Sequence, residues 1–258
     1  MIYYKDQAPI ETLLTGTLVI DRKGAIMPFT GFPKECVKFY QALKKNNNKT
    51  WFDNHKDDYE NYVMNPARDF VVDMGRALQK ISPGIHADPR VNKSLFRIYR
   101  DTRFSNDKTP FKTNLGIWFW EGDGKRFDYS GFYFHLEPPN IMLAAGKHKF
   151  EPDYMKAFRD SVVHEIHGPK LIKAIKQVEK AGYLVGGEQY KKTPRGYDKD
   201  HPYAKYLLFD SLYSFHETKI PQQFYSDDLV EYNYKIFKAL APVHKWMVEM
   251  IGRREFVE

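Results

Sequence analysis

A single cysteine, Cys36, occurs in 258 residues. An intramolecular disulfide is therefore excluded, and so is a cysteine-based metal site. Such a chain suits a reducing compartment. Cys36 lies in "ECVKFYQAL", where helical spacing groups it with Phe39 and Tyr40 as core. No apolar run approaches the ~20 residues of a membrane span. The early stretch "TLLTGTLVI" is short, follows Asp6 and Glu11 as well as Lys5, and lacks the basic lead and cleavage site of a signal peptide. The expectation is a cytoplasmic protein without a membrane partner. Phosphate-loop and nucleophile-elbow patterns are missing, and "GDG" and "VGG" are too sparse for a dinucleotide loop, so no cofactor is assigned. "HEIH", His164 to His167, is one residue short of the zinc-protease helix motif, and no metal site is assigned either. Repeats, low-complexity tracts and Gly/Ser linkers are likewise absent.

What is present is a globular composition, 42% hydrophobic and 28% charged, with aromatics high at 16%. Residues 1–26 differ in character from the rest, and "MPFTGFPKE" from Met27 opens a globular stretch. The spacing predicts an arm or extension over 1–26 and one domain over 27–258. Helices are expected at about 33–46, through "NKTWFDNHKDDYENYVM", after Pro66 to Ile81, from Pro152, at about 169–180, from Pro202 to Phe209, and from Ser226 to Gly252. Between them "SLFRIYRD", "LGIWFWE", "SGFYFHLEP" and "IMLAAG" read as strands, with "YLVGGEQYKK" and "SLYSFHETKI" as later ones. "EGDGKRFD" reads as a hairpin connection. Helices, then successive strands, then helices give an α+β fold. Its central sheet is mainly antiparallel, about residues 94–146 plus later strands, and is covered on one face by N- and C-terminal helices.

The net charge is +7 and unevenly spread: Arg90 to Thr113 carries seven cations against Asp101 and Asp107. Such a patch attracts phosphates, carboxylates or nucleic acid. As a strand, Ser94 to Asp101 would alternate. Arg97, Tyr99, Asp101 and Arg103 would share one face, and Phe96 and Ile98 the other. On "GFYFHLEP", Phe132, Phe134 and Leu136 would point inward with Phe96 and Ile98, leaving Tyr133, His135 and Glu137 on a polar face. That face is either a site or the wet side of an antiparallel sheet. In "RFSNDKTPFKT", Ser105 and Asn106 suit a turn, while Lys108 and Lys112 flank Thr109-Pro110. A second basic loop, "PRGYDKDHP", offers Arg195, Tyr197 and His201. Asp200 there reads as a helix N-cap.

Three segments in order, "NNNKTWFDNHKDDYE", "FRIYRDTRFSNDKTPFKTNLG" and "PRGYDKDHP", resemble the signatures of an uncharacterised bacterial and fungal family catalogued as domain of unknown function 2461. The likeness runs from about Phe29 to Ile251. It implies a single family domain and marks Asn47, Trp51 and Phe52, then Arg97 through Lys112, then Arg195 through Pro202. It brings no activity to transfer. Phe111 stands where the family often shows Tyr, so a phenol is not essential in that place.

The reading that follows is an anionic small molecule held by Arg97, Tyr99, Arg100, Arg103, Ser105, Lys108 and Lys112 together with Arg195 and Tyr197. Asp101, His135 and His201 are the candidate acids or bases if chemistry occurs. It requires Arg97 and Arg195 to meet in one pocket. A nucleic-acid module would use the same cations with Tyr99, Trp118, Trp120 and Tyr197 as stacking platforms. In a structural or partner-binding protein, the Arg and Asp would simply tie loops to the sheet.

Overall fold

A computed structural model describes residues 28–254. The arm expected over 1–26 and the globular start at Met27 lie outside the described residues. The first helix, α1 (Lys34–Lys45), starts after Pro33 and buries Cys36, Phe39, Tyr40 and Leu43, one stripe at helical spacing. Burial pushes the Cys36 thiol up, as befits a core residue. Two short helices follow, α2 (Lys49–Asn54), capped by the Asn48 side chain on the Trp51 N–H at 3.0 Å, and α3 (Lys56–Tyr59). A π-turn over Glu60–Met64 runs directly into α4 (Asn65–Gln79), so the break expected at Pro66 is absent; Pro66 stands just past the widened turn, which makes room for a residue without an N–H.

The six strands are β1 (Ile85–His86), β2 (Leu115–Glu121), β3 (Gly131–Glu137), β4 (Asn140–Lys147), β5 (Leu184–Glu188) and β6 (Phe209–Lys219). They form one antiparallel sheet in the order β1-β2-β3-β4-β6-β5. The remaining helices are α5 (Pro152–Val163), α6 (His167–Lys180) and α7 (Asp228–Arg254). All of this is the expected α+β arrangement. Alternation decides which face the helices cover. Phe132, Phe134 and Leu136 of β3, and Ile141, Leu143 and Ala145 of β4, are fully buried beneath them. Each large side chain so buried contributes about 1.5–3 kcal/mol. In α7, Leu229, Ile236, Leu240, Val243, Met247 and Met250 all face inward. No helix among the described residues is long and apolar enough to cross a membrane.

Two expected elements differ. Ser94 to Asp101 is not a strand. The chain turns at Asn92 (φ 66°) and touches β2 only through Trp118 N–H to Ser94 O (2.9 Å) and Phe96 N–H to Gly116 O (3.1 Å). It then pairs with its own return, Arg100 N–H to Pro110 O (2.9 Å) and Lys112 N–H to Ile98 O (2.8 Å). Changing partner breaks the alternation: Leu95 and Ile98 are buried, while Phe96 lies on the open face against Tyr133, with ring centroids 5.9 Å apart. The helix expected over 202–209 is a 3-10 turn, Ala204–Leu208, and Asp200 does not cap it; Asp200 faces Lys199 instead.

One polar cluster sits inside the core. His244 of α7 is fully buried, with Nδ1 2.9 Å from Ser130 Oγ and Nε2 2.9 Å from Glu121 Oε2; Ser82 Oγ donates to the same carboxylate. Burial pushes the His244 pKa down despite Glu121. At Glu121, burial opposes ionisation, but the hydrogen bonds from His244 and Ser82 outweigh it and the pKa falls. Both shifts act in one direction. A histidine lowered in the fold takes up a proton first in the unfolded chain, so its stability is complete above the ordinary value of 6.5 and is lost as pH falls below it. The Glu121 share persists above the ordinary 4.5 and is lost as pH falls through its depressed value. Urea titrations across pH should show a flat midpoint above about pH 6.5 and a falling one below. His244→Gln should remove part of the first stage of that fall. An unchanged pH profile in this variant would remove His244 as its source.

Candidate functional site

The face of the sheet opposite the helices is where the polar alternates of β3 emerge. Tyr133, His135 and Glu137 stand in line along it, and the narrow hairpin of residues 98–112 is folded beside them. Asn47, just beyond α1, fastens that hairpin. Its side chain donates to Phe111 O (2.9 Å) and accepts from Phe111 N–H (3.1 Å), as a neighbouring strand would. Phe111 itself is buried, stacked on Phe52 at 4.3 Å, a setting that asks for a ring and no hydroxyl. The fold brings Lys112 back next to Phe96, with its ammonium 5.4 Å from the ring centroid.

A third cation arrives from the hairpin between β2 and β3. Gly122 enters it at φ 144°, a conformation side chains rarely adopt, with Tyr129 packed where a Cβ would go. Trp118 Nε1 then donates to Arg126 O at 2.9 Å, and Lys147 Nζ donates to Phe127 O. So held, the Arg126 guanidinium sits 4.9 Å from the Phe96 centroid and 4.3 Å from that of Phe127. Its Nη1 is buried with no hydrogen-bond acceptor. Burial lowers the pKa of Arg126. Burial also lowers that of Lys112, with Arg97 and Arg126 adding like-charge repulsion.

Beside Phe96 and Lys112 lies a cavity of about 400 Å³, lined also by Arg100, Asp101, Asn114, Gly116 and Tyr133. It adjoins a second, of about 340 Å³, through Arg100, Lys112 and Asn114. A third, of about 350 Å³, meets the second at Lys44 and is lined by His135, Glu137 and Glu217. His135 Nδ1 is 3.0 Å from Tyr133 Oη and 3.1 Å from Asn114 Nδ2, and its Nε2 is 3.6 Å from Glu137 Oε2. Burial lowers the pKa of His135, opposed by Glu137, and raises that of Tyr133 to about 12.

Of the expected site residues, Arg100, Asp101 and Lys112 line the first cavity and His135 the third, and Arg97 lies near enough for its charge to act on Lys112. Several are spoken for by neighbours. Arg103 pairs with Asp101 at 2.7 Å, which holds that carboxyl down at about 2 and leaves it a poor base. Arg100 binds Asp107 and Thr109, and Lys108 donates to Thr102 O at 2.9 Å. Ser105 closes a turn through its N–H to Thr102 O at 3.4 Å. Tyr99 is about half exposed and leans on Phe52 and Phe111. Of the proposed stacking platforms, Trp120 is buried against His86.

The expected meeting of Arg97 with Arg195 does not occur. The loop holding Arg195 follows β5 at one edge of the sheet and packs on the helix side, where Tyr197 Oη donates to Asp160 of α5 at 2.7 Å. Arg97 lies outside β2, near the other edge. Four strand spacings, about 19 Å, separate β2 from β5. His201 belongs to the distant loop as well, with Nδ1 accepting from the Tyr203 N–H at 3.1 Å, a turn-closing role. The missed residue is Arg126. Its sequence signal was a Lys-Arg-Phe triplet in the connection between two strands.

Among the described residues no group of three or more His, Cys, Asp or Glu gathers as a metal site. Gly116 is needed for the tyrosine: a Cβ there would sit 2.7 Å from Tyr133 Oη and 3.2 Å from Phe96 Cδ2. Gly116→Ala should cost about 1–3 kcal/mol in urea denaturation, as overpacking does. A variant as stable as the parent would show that Tyr133 moves aside freely.

In comparisons with known proteins, a family described as "Conserved hypothetical protein (DUF2461)" matches residues 35–246. No curated protein matches the chain.

Proposed function

The chain belongs to the DUF2461 family, and from the site alone we infer that it binds a small anionic ligand, a phosphate or carboxylate, in the cavity beside Phe96. The observation that carries this is the grouping of Arg97, Lys112 and Arg126. Arg97 lies near enough for its charge to act on Lys112. None of the three has an acid within ion-pair distance among the described residues, whereas Arg90, Arg100 and Arg103 each do. Three like charges on a partly buried surface repel one another, and a buried N–H without an acceptor costs about 1–3 kcal/mol. An anion removes both penalties. Its oxygens would accept from the Arg126 Nη1 and from Lys112, charge-assisted hydrogen bonds of the strong kind. The Asn114 amide supplies a neutral donor at the wall. The cavity lies within the ~300–1,000 Å³ range of ligand sites.

A confined cluster of three cations suits a discrete ligand better than a polyanion, which calls for charge along a track. Isothermal titration with inorganic phosphate at low salt should show binding. Lys112→Ala and Arg126→Ala should each weaken it about tenfold or more, the equivalent of one charged hydrogen bond. Arg103→Ala and Arg195→Ala should leave it unchanged. Binding of a single-stranded oligonucleotide with steep salt dependence, and none of phosphate, would favour a nucleic-acid module. No response to either would leave the cations a structural role.

A further inference from the structure

Tyr133, His135 and Glu137 are alternate residues of β3 and form a line running away from the anion cavity. Asn114 Nδ2 can only donate, and it lies 3.1 Å from His135 Nδ1. That nitrogen is therefore an acceptor, and the ring proton sits on Nε2, facing the Glu137 carboxylate at 3.6 Å. The Tyr133 hydroxyl, at 3.0 Å, is a second donor within reach of the one lone pair on His135 Nδ1, which it shares with Asn114. His135 has no nitrogen left to meet a ligand, and it lines the cavity beyond. Tyr133 lines the cavity beside Lys112. Tyr133 thus joins that cavity to His135 Nδ1 through its hydroxyl.

We propose that Tyr133 is the nucleophile of this site, with His135 as its proton acceptor and Glu137 orienting the imidazole, acting on a phosphate ester held by Arg97, Lys112 and Arg126. This rests on the anion reading above. Burial keeps His135 neutral and able to accept a proton, and keeps the phenol protonated until it attacks. In the step, the Tyr133 oxygen forms a bond to phosphorus while its proton moves to His135 Nδ1. The bond from phosphorus to the ester oxygen breaks, and its electron pair leaves on that oxygen. Water then displaces the tyrosine and releases a proton to solvent, phosphate departs, and Tyr133 recovers its own proton from His135. The cations offset the charge that gathers on the phosphoryl oxygens. His135 is thus a positioning and relay residue, and Tyr133 is the group that touches the ligand.

The probe is p-nitrophenyl phosphate. The intact protein should release p-nitrophenolate, and rapid acid quenching followed by peptide mass spectrometry should find a phosphoryl group on Tyr133. Tyr133→Phe should abolish both signals. His135→Gln should slow release by about a hundredfold or more, as loss of a general base does, and flatten its pH profile, while keeping the affinity for inorganic phosphate. Absence of release, release that survives Tyr133→Phe, or an unchanged pH profile in His135→Gln would overturn the proposal. If phosphate binding still depends on Lys112 and Arg126, that failure leaves the anion site standing. If phosphate does not bind at all, the anion reading fails first.

Discussion

The alternation of side chains along β3 is the constraint on which the rest depends. Phe132, Phe134 and Leu136 are held fully buried under the helices, with Phe134 packed on Phe70 and Phe132 on Phe237. With those three fixed, Tyr133, His135 and Glu137 have no choice of face. A slip of one residue would exchange the two sets, burying a carboxylate and exposing two phenylalanines. The stability of the core and the placement of the polar line are therefore one event.

This constraint was also the most legible part of the sequence. A strand buried on one side announces its period, and both sets of β3 residues could be assigned before any coordinates. The same reasoning misplaced Phe96, because alternation persists only while a strand keeps one partner. Ser94 to Phe96 leans on β2, Ile98 to Arg100 pairs with Pro110 to Lys112, and the register changes between them. The charge count in that segment was informative as a whole and misleading singly. Local aspartates take Arg90, Arg100 and Arg103, the outcome that near neighbours in sequence favour, while Arg97 and Lys112 are left without an ion pair among the described residues.

Two further features could not be read in advance, for one physical reason. The separation of Arg195 from Arg97 depends on where β5 joins the sheet, and strand order is set by packing of the whole domain. Arg126 reaches Phe96 because backbone carbonyls at 126 and 127 are gripped by side chains from other strands. Neither contact leaves a periodic trace. The three matching segments resemble the DUF2461 signatures as a group, but only the first two adjoin in space: Asn47 joins them by grasping Phe111. The third, around Tyr197, steadies α5 on the covered side.

The grip on the β2–β3 hairpin has a consequence beyond ligand recognition. Trp118 holds one carbonyl from the open side of the sheet, and the buried Lys147, whose ammonium lies 5.2 Å from the Tyr154 ring, holds the next from the covered side. Surface connections usually tolerate changes in length between relatives. This one is stapled from above and below at successive residues, so inserting or deleting a single residue would put one anchor out of reach. Its length is bound to the packing of α5, and a repacking around Tyr154 would be felt as a displaced guanidinium on the opposite side of the sheet.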